Sequence, residues 1–274
     1  MATKEKALTK NEKHPIRAID LVVEEVCFYN ESLFRLTLGV TADSAEEIPT
    51  IEPGQFAQVE IPSVSGAFLR RPLSIYKATN QQLMLLVQVV GRGTTDLSRC
   101  HIGDRMNVLL PLGKGFSMPS KWLQKRHTSP LLVGGGVGIA PMFALSQRLQ
   151  ADGHSPKLLL GARSEKLLPN LEEIGQYSEL LITTNDGSCG IKGLVTDHPI
   201  WEEKLDCIYC CGPTAMMKAV AKRAMKQGVP IEVSLENKMA CGIGVCLCCI
   251  EPTTAGYQTT CTEGPVFDPY DLKW

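Results

Sequence analysis

Four cysteines toward the end of this 274-residue chain carry its strongest chemical signal. Cys241, Cys246 and Cys249 share one short run spaced C-x4-C-x2-C, and Cys261 follows in Thr260-Cys261-Thr262-Glu263-Gly264-Pro265. Three thiolates on one loop with a distant fourth is the plant-type spacing for a [2Fe–2S] cluster. Four thiolates can also hold structural zinc. Zinc sites, however, come as two short C-x2-4-C pairs, and these thiols do not divide that way; zinc stands as the alternative. Gly242 and Gly244 favour the cluster. A loop wrapped round inorganic sulfide brings its backbone close and turns through positive φ, which glycine does at least cost. Cys248 competes with its neighbours for a ligand place, but choosing it breaks the spacing, so it stays off the ligand set.

A second chemistry is phosphate binding. Gly134, Gly135, Gly136 and Gly138 end an apolar run and open a helix at Ile139-Ala140-Pro141. A strand, a glycine loop and a helix start present free N–H groups and a positive helix end to a phosphate, and Pro141 suits the first helical turn. The pattern is not a full G-x-G-x-x-G, and the acidic residue expected about 20 positions on for ribose is replaced by Gly161-Ala162-Arg163-Ser164. At Cys211-Gly212-Pro213 a strand end meets a helix start, the crevice where open α/β sheets take ligands. Cys211 is there either a small buried hydrophobe or a thiol lying against a ligand ring. In Arg70-Arg71-Pro72-Leu73-Ser74, Pro72 holds its neighbours extended. An arginine there can pair a diphosphate in bidentate fashion, and the serine hydroxyl can reach a ring nitrogen. Gly91-Arg92-Gly93-Thr94 reads equally as a second phosphate cradle or as a plain turn. Cys207 and Cys210 look like a redox pair, but three apart on a strand they point to opposite faces and cannot share a site. Cys27, Cys100 and Cys189 are isolated, and the five histidines are scattered.

The elements that must position these groups fall into three parts. Short β-like runs at 19–28, 33–40, 55–61, 73–77, 83–90 and 105–110, with a short helix at 95–100, predict an antiparallel barrel. Pro62-Ser63 closes the third run. From about Ser129, strands at 130–133, 157–160, 180–184, 207–211 and 231–234 alternate with helices at 139–149 and 213–227, the latter stopped by Gly228. Alternation of this kind implies a parallel sheet covered on both faces. The expected class is therefore multidomain β plus α/β. Residues 1–126 form the barrel with a frayed tail at 1–13, 127–228 the α/β domain, and 229–274 the cysteine module. The net charge of −1 gives no electrostatic case for nucleic acid or an anionic membrane. No run reaches the ~18 apolar residues of a transmembrane helix. The polar N-terminus lacks the apolar core of a signal peptide. With eleven cysteines, that points to a reducing, cytoplasmic setting.

In this order the pieces resemble the ferredoxin-reductase-like flavoproteins. Arg71-Pro72-Leu73-Ser74 and Gly93-Thr94 match that family's flavin motifs, with Leu73 where many members carry Tyr, and Gly134 to Pro141 and Cys211-Gly212-Pro213 match its nicotinamide half. Residues 234–246 and 261–267 are similar, more narrowly, to the iron–sulfur tail of the electron-transfer subunits of NAD-dependent dihydroorotate dehydrogenase. The resemblance runs from about residue 15 to 274. It implies FAD at the barrel's edge, a [2Fe–2S] cluster on Cys241, Cys246, Cys249 and Cys261, and NAD at the glycine loop. It also implies a separate FMN-containing catalytic subunit in a heterotetramer of two of each, feeding pyrimidine (UMP) biosynthesis. FAD would be held by Arg71, Pro72, Leu73, Ser74, Leu86, Val87, Gln88, Gly93 and Thr94. Gln88 departs from the basic residue that relatives often place there, and Cys248 from a small residue. Two other readings stay open: an NADH-oxidising subunit serving another partner, such as anaerobic sulfite reductase, and a zinc-stabilised binding module without enzymatic activity.

Overall fold

In the computed structural model residues 15–41, 46–61, 66 and 68–274 are described. The tail at 1–13 and the strand end at Pro62-Ser63 lie outside them. Six strands of the first half close into a barrel: β1 (Arg17–Phe28), β2 (Leu33–Val40), β3 (Phe56–Val59), β4 (Arg71–Ala78), β5 (Gln82–Gln88) and β6 (Arg105–Leu112). Their order round the wall is β1-β2-β5-β4-β3-β6, antiparallel throughout. Alternation makes this barrel: every second side chain, among them Ile19, Leu21, Leu36, Leu38, Leu83, Leu85, Val108 and Leu110, enters one interior cluster.

Between β5 and β6 stands α1 (Arg92–Leu97), three residues earlier than the expected helix at 95–100. The shift has a local cause. Gly91 is the extended N-cap, and the Thr94 hydroxyl accepts from the N–H groups of Val90 at 2.9 Å and Gly91 at 3.2 Å, closing the first turn around Gly93.

The second half is an open sheet. Its strands are β7 (Leu131–Gly135), β8 (Lys157–Ala162), β9 (Glu179–Thr184), β10 (Ile191–Lys192), β11 (Ile208–Cys211) and β12 (Ile231–Ser234), with α2 (Ile139–Ala151), α3 (Leu171–Gly175) and α4 (Thr214–Gln227). The order is β10-β9-β8-β7-β11-β12, all parallel. Leu132, Leu158, Leu160 and Tyr209 face α2 and α3, whereas Leu131, Val133, Leu159 and Ile208 face α4. Cys207 and Cys210 fall in those two opposite cores, as their three-residue spacing requires. Gly228 ends α4 in the left-handed conformation (φ 67°).

The tail returns to the sheet. After the hairpin β13 (Ile250–Thr253) and β14 (Gly256–Thr259), β15 (Val266–Phe267) runs antiparallel along β12. Beyond Gly228 the chain thus still contributes β12 and β15 to the nucleotide-type sheet, and the cysteine loop is a long excursion between those two strands. Barrel and sheet are joined where Tyr76 of β4 stacks on Phe143 of α2, ring centroids 4.2 Å apart. Arg35 adds a second tie, reaching Glu173 of α3 at 3.4 Å.

Candidate cofactor and metal sites

Strand β3 places the cysteine loop. Ala57 and Val59 enter the barrel core, so Phe56 and Gln58 face outward. Phe56 packs with Leu112, Cys249 and Cys261 in a small cluster of their own. Cys249 and Cys261 are consequently buried, Cys241 is half-buried, and Cys246 and Cys248 are exposed. The loop turns through positive φ at Gly242 (73°), Gly244 (81°) and Leu247 (57°). These turns aim N–H groups at sulfur. Gly244 donates to Cys261 Sγ at 3.1 Å, and Cys246 and Ile243 donate to Cys241 Sγ at 3.4 and 3.5 Å.

Burial opposes ionisation of Cys241, but those donors outweigh it and bring the thiol down to about 6. Burial and the adjoining Cys249 thiol push Cys261 up to about 12. Among the described residues no three His, Cys, Asp or Glu side chains close on a single ion. The thiols gather instead along the loop: Cys246 bears on Cys241, and both Cys249 and Cys241 bear on Cys261. Amides directed at the Cys241 and Cys261 sulfurs suit an iron–sulfur cluster, whose charge rests on its sulfur atoms.

The flavin motif comes together across the barrel rim. A Cβ on Gly93 would sit 2.6 Å from Arg71 Nε, so the guanidinium lies directly over the first turn of α1. Arg71 Nη1 also donates to the Leu69 carbonyl at 2.6 Å, which holds the fork in place. Arg71, Pro72, Leu73 and Ser74 all lie half-buried on β4 beside β3. This cradle, one arginine above free helix-start amides, fits a diphosphate. Leu86 and Val87 are buried on opposite faces, Leu86 toward the sheet domain and Val87 inside the barrel. The Val87 side chain is thereby committed to the core and has only its backbone to offer a cofactor.

Gln88 lies elsewhere, on the wall of a cleft of about 700 Å³ between barrel and sheet. The cleft is also lined by Asn30, Gly135, Gly136, Arg163, Thr183 and Met216, so the Gly161-Ala162-Arg163 segment does reach the nucleotide side. The four glycines divide their work. Gly136 (φ 58°) opens to the cleft, with Gln88 Oε1 the nearest foreign atom to its missing Cβ at 3.9 Å. Gly138 serves packing: a Cβ there would lie 2.4 Å from the Cys211 backbone. Gly212, at φ 149°, lies against the Gly135 backbone, and Pro213 lines the cleft at the head of α4. Gly134 packs against Ile139 at the start of α2.

Cys211 is fully buried behind this crossing, its Sγ 3.9 Å from Glu236 Oε1. Burial first, and the nearby carboxyl second, push its thiol well up; burial also raises Glu236. Nothing in the spacing of Glu236 along the sequence ties it to Cys211. The contact arises where the chain leaves β12 beside the end of β11.

Barrel, parallel sheet and appended cysteine loop together define the ferredoxin-reductase-like class of flavin- and nicotinamide-binding reductases. Phthalate dioxygenase reductase has this fold at a TM-score of 0.64 and 19% identity, over 86% of this chain and 87% of that one. The solved structure of an NADH-dependent reduced ferredoxin–NADP oxidoreductase matches at a TM-score of 0.79 and 30% identity, over 93% and 90%. The profile of the oxidoreductase NAD-binding domain matches residues 132–222, and that of the iron–sulfur cluster binding domain of dihydroorotate dehydrogenase B matches 236–273. The electron transfer subunit of dihydroorotate dehydrogenase B (NAD(+)) from Clostridium acetobutylicum is 39% identical over 79% of this chain and 84% of its own length. The subunit of the same name from Listeria monocytogenes serovar 1/2a is 39% identical over 84% and 91%. The chain belongs to this family of dihydroorotate dehydrogenase B electron transfer subunits.

Proposed function

We propose that this chain carries electrons from a separate dihydroorotate-oxidising, FMN-containing subunit to NAD+, in the service of pyrimidine synthesis. The gathered thiols of Cys241, Cys246, Cys249 and Cys261, with Cys249 and Cys261 packed on Phe56 of the barrel, carry this reading. When bound, the cluster handles single electrons, FAD exchanges them for pairs, and NAD+ accepts a pair as hydride. The protein's part is position. Amides of Gly244, Cys246 and Ile243 hold charge at the Cys261 and Cys241 sulfurs, and Arg71 over Gly93 grips the flavin diphosphate. Ser74 addresses the flavin ring, and the Gly135-Gly136 turn receives the nucleotide beside Gln88. Cys211 and Glu236 support the floor on which the nicotinamide would lie.

The functional division follows at 1–126, 127–228 and 229–274, with β12 and β15 of the last part docked on the sheet of the second. Around the exposed Cys246 stand Ile243, Val245, Leu247 and Ile250, all solvent-exposed. An apolar collar around a metal loop suits a protein partner, and the assembly expected is a heterotetramer of two of each subunit. Among the described residues no helix is long and apolar enough to cross a membrane. Mixing the purified chain with the FMN subunit and dihydroorotate should give NAD+-dependent orotate formation. Absence of that activity, in a chain carrying both flavin and cluster absorption, would assign it to another electron donor or acceptor.

A further inference from the structure

Gln58 is a polar side chain on the outer face of β3, where solvent would normally meet it, yet it is fully buried. The cysteine loop covers it. A Cβ on Gly242 would stand 2.7 Å from Gln58 Cγ and 3.0 Å from its Nε2, so the amide lies flat against the residue that follows Cys241. Among the described residues neither Nε2 nor Oε1 has a hydrogen-bond partner. A buried primary amide with all its donors and acceptors idle is costly and rare, and in a native protein it signals a partner that arrives with something else.

Three further observations say where that partner lies. Gln58 pairs in register with Pro72, between Arg71 and Leu73 of the flavin motif, so it stands between the flavin strand and the cysteine loop. Its same-face neighbour Phe56 packs on Cys249 and Cys261. The pairing of β3 with β6 slips by one residue between Phe56 and Gln58, an irregularity of the kind that re-aims a side chain.

We propose that Gln58 is a positioning residue for the iron–sulfur centre, its Nε2–H donating to cluster sulfur at the Cys241 end and raising the cluster's reduction potential. The inference rests on the function proposed above. The physical reason is charge: reduction adds a negative charge to the cluster, and a donor to sulfur stabilises the reduced form more than the oxidised one. Gln58 itself neither gains nor loses electrons. Because it adjoins both the loop and the flavin strand, its contact with Gly242 is what assigns the amide to the cluster.

The test is an anaerobic redox titration of the full chain loaded with FAD and cluster, followed by EPR for the cluster and by absorbance for the flavin. In Gln58→Leu, close in size but without donors, iron and sulfide content should stay at the wild-type level and the cluster potential should fall. Gln58→Asn, which keeps the donor on a shorter side chain, should recover part of the loss. The flavin potential should stay fixed throughout. An unmoved cluster potential in Gln58→Leu, or a shift confined to the flavin, overturns the assignment, as does a Gln58→Asn potential no higher than that of Gln58→Leu. Should the leucine variant fail to fold, Gln58→Met is read by the same criterion. A wild-type chain without any cluster signal would instead overturn the proposed function, so the two failures are told apart.

Discussion

Cys248 sits exposed in the middle of the ligand run, flanked by two cysteines with different surroundings. Cys249 is buried against Phe56 and Cys261, whereas Cys248 lies outside that packed cluster. Cys248→Ala should therefore keep the full iron content, and Cys249→Ala should lose most of it, as iron and sulfide analysis will register. The opposite pattern would move the ligand register by one residue. Arg163 poses a second question at this scale, because it lines the nucleotide cleft in place of the expected ribose carboxylate. A charge-assisted bond to a 2′-phosphate contributes about 1.5–3 kcal/mol, or roughly tenfold and more in affinity. Arg163→Ala should accordingly raise the KM for NADP+ about tenfold. The KM for NAD+ should move little. Steady-state kinetics with both coenzymes checks this. Cys211 shows what burial decides: the sequence left it between hydrophobe and ring contact, and the fold seats it behind the Gly138 crossing.

At the level of elements, the glycine loop is held by backbone-to-backbone contact as much as by any ligand. Gly138→Ala puts a methyl group 2.4 Å from the Cys211 backbone, where neither chain can yield. The expected cost is about 1–3 kcal/mol of overpacking, with weaker NAD+ binding by titration because β7 and β11 must move apart. The seam between barrel and sheet depends on the stack of Tyr76 on Phe143. Phe143 also meets Tyr177 edge-on at 5.6 Å, so Phe143→Ala empties a buried aromatic site. It should cost about 3–5 kcal/mol by denaturant unfolding. The short helix α1 illustrates a different lesson. Its start is set by the Thr94 hydroxyl closing on Gly91, a capping bond that apolar periodicity does not register, and this brings Gly93 under Arg71.

Across the whole molecule the three candidate sites follow neighbouring strands of the barrel wall, β3, β4 and β5. The cysteine loop lies on the outer face of β3, the flavin motif on neighbouring β4, and the nucleotide cleft beyond it where the sheet meets the barrel. The cysteine loop carries the exposed apolar residues on either side of Cys246, with Val245 76% exposed. A charge placed there should be desolvated against a partner. Val245→Lys should weaken association with the FMN subunit by at least about tenfold, ~1.4 kcal/mol, as measured by analytical ultracentrifugation. The isolated chain should keep its flavin and cluster spectra unchanged. Preserved association would place the partner on another face.

Spacing, periodicity and glycine placement determined much of this protein without any coordinates. The C-x4-C-x2-C run, the barrel strands and the strand–glycine–helix unit are all local patterns, because thiol spacing and side-chain alternation are properties of neighbouring residues. The opposite orientations of Cys207 and Cys210 were legible for the same reason. Tertiary structure decided what depends on distant segments meeting. Arg71 lies over Gly93, Cys211 faces Glu236, Gln58 lies beneath Gly242, and β15 returns to β12 so that the cluster loop is a detour from the sheet. None of these contacts leaves a periodic trace in the chain. Each is set by the closure of the barrel and the stacking of the sheet upon it, which fix which outward-facing residues become buried and which polar groups are left waiting for a cofactor.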